Sequence, residues 1–225
     1  DKEQDNPSFK ETISTLRQLP TFWYLAMGSA LSAFVGYGNG NFFPSFLIRN
    51  HGMTLTEVGI TLAITAGFMG AIGSYLGGFL ADRLGKEDNR WYIWIPLIGG
   101  LLGFFPNLYM LLADDIRQVL ICVAFVNLAT TTYLGPVLAI SHSMVPPAMR
   151  ALTSAILFFV LNIIGLGLGP LTTGLLSDAF EPIFGSNHLR YAMLVTVLVG
   201  SLGMLMFYIA SKKLPFSLPA CERQE

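Results

Sequence analysis

The stretch LTEVGITLAITAGFMGAIGSYLGGFLADRLGK, residues 55–86, decides how this chain is read. From 55 to 81 its only charged residue is Glu57, in the first turn. Asp82, Arg83 and Lys86 then arrive together. About 20 apolar residues suffice to cross the ~30 Å hydrocarbon core. A barrel strand needs only about ten, of alternating character. The stretch therefore predicts a membrane-spanning helix that ends in a sharp polar turn.

Five further stretches read the same way, at 21–48, 91–113, 116–142, 151–177 and 190–211. Their only charges besides Glu57 are Arg117 and Arg190, each in a first turn. A charge near mid-span costs a few kcal/mol or more, so its absence is what stable spans require. The composition agrees: 53% of the 225 residues are hydrophobic and 12% are charged, against about 25% in a soluble domain. That balance excludes a soluble enzyme and a disordered chain. The net charge of −1 gives no sign of nucleic-acid binding. The predicted fold class is an all-α membrane protein, a six-transmembrane-helix bundle over 21–211. Residues 1–20 form a polar or amphipathic cytoplasmic linker, and 212–225 a cytoplasmic tail. The polar first 20 residues are no secretory signal.

Ten of the 13 basic residues fall on the side of the termini, among them Arg83, Lys86, Arg90, Arg150, Lys212 and Lys213. Arg49, Arg117 and Arg190 fall on the other. The positive-inside rule puts both termini in the cytoplasm. Cys122 lies in a span and Cys221 in the tail, so they form no disulfide or metal pair. His51, His142 and His188 lack metal spacing. No Ser-His pair, carboxylate pair or metal set sits within the spans, so no catalytic residue, metal or cofactor is expected.

The turn Gly78-Phe79-Leu80-Ala81-Asp82-Arg83-Leu84-Gly85-Lys86 carries the most specific chemistry. Gly85 can supply a positive φ. Asp82 ends a helix, where its own dipole disfavours a carboxylate. It gains from another helix's N-terminus or from Arg83, Lys86 or Arg150, the last following Pro146-Pro147. Two readings stand: a latch that holds helices together on one membrane face, and a solvated loop that sets orientation.

The G-x-L-A-D-R-x-G-K pattern resembles the cytoplasmic loop signature of the major facilitator superfamily, between helices two and three of each six-helix half. Further runs resemble bacterial Spinster-like transporters: Thr21-Phe22-Trp23, Phe34 to Gly38, Phe43 to Leu47, His51-Gly52-Met53, Arg90-Trp91-Tyr92, Val145 to Ala151 and Asn162 to Pro170. The resemblance covers about 8 to 212. It implies the C-terminal half, helices seven to twelve, of a twelve-helix transporter in the bacterial inner membrane. An N-terminal half would be its partner and would hold the coupling carboxylate. The implied activity is secondary active transport of a lysophospholipid or a sphingosine-1-phosphate-like amphiphile by alternating access, coupled to protons, among membrane lipids. A transporter of a small organic anion or drug, and a self-contained six-helix protein that dimerises, are the alternatives.

In that superfamily the first and fourth helices of a half line the central cavity. Here they carry the mid-depth polar residues. Span one offers Tyr37, Asn39 and Asn41 with Phe34 beside them, and Tyr37, Asn41 and Ser45 share a face. Span four offers Asn127, Thr130, Thr131, Thr132 and Tyr133. Such groups need partners in lipid, which a water-filled cavity or ligand supplies; hydrogen bonding between helices is the other source. Asn107, Asn162 and Thr172 or Thr173 read as helix contacts of that second kind. Small residues repeat along span two (Gly59, Ala63, Gly67, Ala71; Gly70, Ser74, Gly78) and span five (Gly165, Gly167, Gly169, Gly174). The resemblance implies that these faces meet the other half. Gly165 to Pro170 lacks the strand and Lys of a phosphate loop.

Overall fold

The computed structural model describes residues 9–214, and every regular element among them is helical. The helices are α1 (Phe9–Arg17), α2 (Pro20–His51), α3 (Leu55–Leu62), α4 (Gly70–Leu84), α5 (Trp91–Leu112), α6 (Ile116–Thr130), α7 (Leu134–Ser143), α8 (Arg150–Leu161), α9 (Gly169–Phe184), α10 (His188–Gly200) and α11 (Leu202–Lys213). Short non-α turns join several of these end to end. A π-helical stretch, Ala63–Met69, links α3 to α4, and a second, Asn162–Leu168, links α8 to α9. A 3-10 turn, Thr131–Tyr133, joins α6 to α7.

The chain reverses where its local chemistry dictates. Pro20 opens α2 with a φ already suited to a helix. Gly52 closes it at φ 65°, its amide bonding the Ile48 carbonyl while the Met53 amide bonds that of Leu47. Thr54 and Glu57 then form a reciprocal capping box that starts α3. The Asp115 carboxylate accepts from the Arg117 amide at the head of α6. Gly185, at φ 53°, turns α9 back toward α10, and those two helices pack side by side.

Four helical segments are long and apolar enough to cross a membrane: Leu55–Leu84, Trp91–Leu112, Ile116–Ser143 and the 67-residue run Pro147–Lys213. A fifth is added when α1 and α2, bent by 94°, are taken as one span. The expected stretches 151–177 and 190–211 are the two limbs of that long run. α1 is a short helix within the expected linker. It lies across the end of α2 with Leu16 fully buried, and the Trp23 indole donates to the Leu16 carbonyl at 3.0 Å.

The helices pack as two trios. α2 is the hub of one, against α8–α9 and α10–α11; α6–α7 is the hub of the other, against α3–α4 and α5. Each hub is approached through glycine. A Cβ on Gly165 would lie 2.6 Å from the Ala33 Cβ, and one on Gly169 2.7 Å from the Phe34 carbonyl. Likewise Gly203 meets the Gly28 carbonyl. At the second hub Gly73 faces the Leu128 carbonyl, Gly77 the Thr132 backbone and Gly99 the Ala129 carbonyl. Small residues let helix backbones approach this closely. Two apolar clusters hold the ends. One gathers Leu16, Phe22, Ile93, Val137, Leu157 and Phe207. The other gathers Phe46, Leu47, Val58, Leu111, Val119 and Met193. Large apolar side chains also cover the outside, such as Phe105, Ile121 and Phe159, as a lipid-facing surface requires.

Candidate functional site

The hubs touch one another little, and a cleft of about 510 Å³ opens between them. α2 and α6 form its sides, α5 and α10–α11 its back, and Leu62 and Ala66 its edge. Among the described residues that line it there is no Asp, Glu, Lys, Arg or His. Its lining on α5 runs from Pro96 to Met110, about 21 Å along the axis at a 1.5 Å rise per residue. The cleft is thus a long, uncharged slot parallel to the helices. Gly36 and Gly40 keep one wall low, since a Cβ on either would meet nothing within 4 Å.

The structure brings together Tyr37, Asn39, Asn127, Thr130, Thr131 and Tyr133 in this lining. Phe34 and Asn41 stand apart from it. Phe34 is 6% exposed, and its carbonyl abuts Gly169 of α9. Asn41 points outward and is exposed. The reason is rotational: the lining face of α2 follows Ser32, Gly36, Gly40 and Phe43, one residue round from the Tyr37-Asn41-Ser45 stripe, and one residue is about 100° of turn.

The polar groups are partly satisfied within the helices. Asn127 Nδ2 donates to the Val123 carbonyl at 2.9 Å, and Thr130 Oγ1 to that of Val126 at 2.8 Å. Thr131 Oγ1 reaches both the Asn127 carbonyl, at 2.8 Å, and the Gly70 carbonyl of α4, at 3.0 Å. Asn39 Nδ2 donates to the Met193 carbonyl of α10 at 3.3 Å. Thr131 and Asn39 therefore bond between helices while lining the cleft, so the two sources of partners coexist.

The back wall was not legible in the sequence. Asn107 reads there as a helix contact, yet it lines the cleft, as do Gly100, Gly103, Phe104, Ser201 and Met204. The available signal was the small-residue run Gly99, Gly100 and Gly103 on an otherwise bulky helix.

The turn after α4 places Asp82, Arg83, Lys86 and, from α8, Arg150 at an exposed surface. Asp82 accepts a hydrogen bond from the Tyr92 hydroxyl at 2.9 Å. Among the described residues no basic side chain forms an ion pair with it. Gly85 does not supply the expected positive φ; its φ is −66°. Glycine is needed for space, because a Cβ would sit 2.5 Å from the Ala81 carbonyl and against the Tyr92 ring. Gly78 faces open space, as do Gly59 and Gly67, whereas Gly73 and Gly77 pack inward on the second hub. Of the two expected rows, Gly70 and Ser74 of the second bond Thr131 within this chain, while Gly73 and Gly77, which stand in neither row, make the close approach. Cys122 is a free, half-buried thiol, and Cys221 lies outside the described residues.

The Major Facilitator Superfamily profile matches residues 3–220. An efflux pump of the same superfamily from Mycolicibacterium smegmatis is 34% identical over 202 residues, which are 88% of this chain and 46% of that protein. The niacin transporter NiaP of Acinetobacter baylyi is 26% identical over 93% of this chain and 45% of its own length. Among solved structures, a bacterial homologue of the human lysosomal transporter Spinster, inward-facing and unoccupied, superposes with a TM-score of 0.85 at 26% identity, over 95% of this chain and 52% of that one. Its inward-facing, occupied form gives 0.77 at 27% identity, over 87% of this chain and 50% of that one. The chain spans about half the length of the curated relatives it matches. With its all-helical architecture and the loop motif after α4, this chain belongs to the Major Facilitator Superfamily.

Proposed function

We propose that this chain acts as the C-terminal, six-span half of a secondary active transporter, both termini in the cytoplasm, that moves a long amphiphile such as a lysophospholipid by alternating access. The cleft is the observation that carries the reading. Its ~21 Å run along α5 is about two thirds of a ~30 Å hydrocarbon core. Its lining is apolar apart from uncharged amides and hydroxyls, which suits an extended chain better than a compact ion. The likeness to a bacterial homologue of a lysosomal transporter supports the transport reading. In this reading the cleft is an extension of the central cavity into one half. Rocking of the two halves about that cavity exposes it to each side in turn.

Proton coupling follows from the family resemblance and requires a carboxylate that the lining lacks, so the coupling acid belongs to the N-terminal half. The small-anion alternative has the niacin transporter in its favour. It requires a cation at depth, which this half would have to borrow from its partner. The outward row Gly59, Gly67 and Gly78 and the exposed Asp82 loop form the surface on which that partner sits and latches.

Gly36→Trp in the intact transporter tests the reading, because Gly36 lines the slot and a Cβ there meets nothing within 4 Å. The expected result is loss of lysophosphatidylcholine transport in proteoliposomes with folding retained. Unchanged transport, or transport of nicotinate instead, overturns it.

A further inference from the structure

At the end of the bundle that carries His51, one histidine ties three helices together. His188 is the first residue of α10. Its Nδ1 lies 2.8 Å from Ser177 Oγ and 2.9 Å from the Ser177 carbonyl, both on α9. Its Nε2 lies 3.5 Å from Arg49 Nη1, in the last turn of α2. These partners dictate where the proton sits. The Ser177 carbonyl only accepts, so Nδ1 carries the hydrogen. The guanidinium only donates, so Nε2 presents its lone pair. Neutral imidazole alone satisfies both.

The part of α2 held this way lies beyond a break in its hydrogen bonding. Pro44 sits inside the helix, next to Phe43 of the slot lining. It has no N–H to give the Gly40 carbonyl, and its ring crowds that same group. Residues 45–51 form a short limb from there to Gly52. Phe46 and Leu47 pack the limb into an apolar cluster, and Asn50 Nδ2 donates to Asn187 Oδ1 at 3.2 Å. Neither of those contacts titrates. The histidine contact does, because an imidazole changes charge between about pH 5 and 8.

We propose that His188 is a pH-sensitive pin on the outer limb of α2, closed while its imidazole is neutral and opened by protonation. A second N–H on the ring would face the Arg49 guanidinium and set two cations 3.5 Å apart. The surrounding charges do not offset this. Asp178 and Glu181 of α9 are exposed, Arg190 of α10 pairs with Asp114 at 3.4 Å, and His51 of α2 stands edge-on to Phe46. Among the described residues no carboxylate pairs with His188. The pin therefore holds at neutral pH and is lost as pH falls. The apolar packing remains, so the limb loosens without detaching, and Phe43 carries the change to the slot. The pin is independent of what the slot carries.

The test follows amide hydrogen exchange in the intact transporter in detergent, each rate divided by the intrinsic rate at the same pH. Wild type is expected to lose protection over 45–51 by about fivefold or more between roughly pH 7.5 and pH 5.5. His188→Gln offers Ser177 a donor and Arg49 an acceptor but takes no charge, and it is expected to abolish the pH step. Arg49→Gln removes the opposing cation and is expected to abolish it as well, even where glutamine fits poorly at 188. His51→Gln, the control for the other histidine at this end, is expected to keep it. Exchange over α5 reports folding in each variant. Wild-type protection that does not change with pH overturns the proposal. So does a step that survives in either His188→Gln or Arg49→Gln, or one that His51→Gln removes.

Discussion

The two hubs are built alike and finished differently. α2 receives Gly165 and Gly169 from one neighbour and Gly203 from another; α6–α7 receives Gly73 and Gly77, then Gly99. In each trio a π-helical stretch directly adjoins or contains the packed glycines, Ala63–Met69 before Gly70 and Gly73, Asn162–Leu168 around Gly165. Yet α2 is one continuous 32-residue helix that keeps Pro44 inside it, whereas its counterpart breaks into a 3-10 turn at Thr131–Tyr133. The break falls where Thr131 and Thr132 turn their hydroxyls onto backbone carbonyls. Such back-bonding bends helices. The likeness shows that glycine placement, not bulk hydrophobicity, fixes how each hub is gripped. The difference assigns local give to the second hub, on the wall of the cleft.

That comparison can be broken most forcefully by steric change. Gly77→Val, against the Thr132 backbone, is expected to destabilise by about 3 kcal/mol. Gly78→Val, one residue on and in open space within this chain, is expected to cost under about 1 kcal/mol, because what it meets is the looser surface between the two halves. Equal effects at the two positions would refute the inward packing. Gly169→Val is the mirror experiment at the first hub and is expected to match Gly77→Val within about 1 kcal/mol. A much smaller loss there would show that the hubs are not equivalent. Next in size, Thr131→Val removes the bond to the Gly70 carbonyl, and Thr173→Val removes that to Thr196 Oγ1. Each is expected to lower stability by about 0.6 kcal/mol, the typical value within membranes; the Thr131 change should also straighten its hub, visible as slower hydrogen exchange over 127–134. Smallest in stability is Asp82→Asn, which keeps an acceptor for the exposed Tyr92 hydroxyl and removes only the charge. It is expected to leave the midpoint unchanged and to slow transport several-fold. Normal transport would leave the loop a structural turn.

Much of this was legible from charge placement. Apolar stretches bounded by charges gave the helices, and the Gly78–Lys86 motif gave the family. Tyr37, Asn127, Thr130 and Tyr133 were placed in the cleft because uncharged polar groups at mid-depth need partners. Three features were not legible. Helix rotation is set by tertiary packing, so Phe34 and Asn41 fell on other faces than their spacing suggested. The grip of Gly73 and Gly77 on α6–α7 depends on which neighbour arrives, and a row of small residues does not name it. Asn107 looked like a helix contact because one sequence shows no partner for any amide. Only the structure shows that it lacks one.

The central claim is that the slot between the hubs holds an apolar chain, and a photoreactive chain reports on it directly. Intact transporter would be equilibrated with a lysophosphatidylcholine bearing a mid-chain diazirine, irradiated, and mapped by mass spectrometry. Adjacent residues on α5 and α6 fall on different faces: Phe104 and Val126 line the slot, while Phe105 and Phe125 are exposed and absent from its lining. The prediction is saturable labelling at Phe104, Met110, Val123 and Val126 that unlabelled lysophosphatidylcholine displaces and Gly36→Trp abolishes. Labelling confined to Phe105, Ile121 and Phe125, undisturbed by competitor, would contradict it.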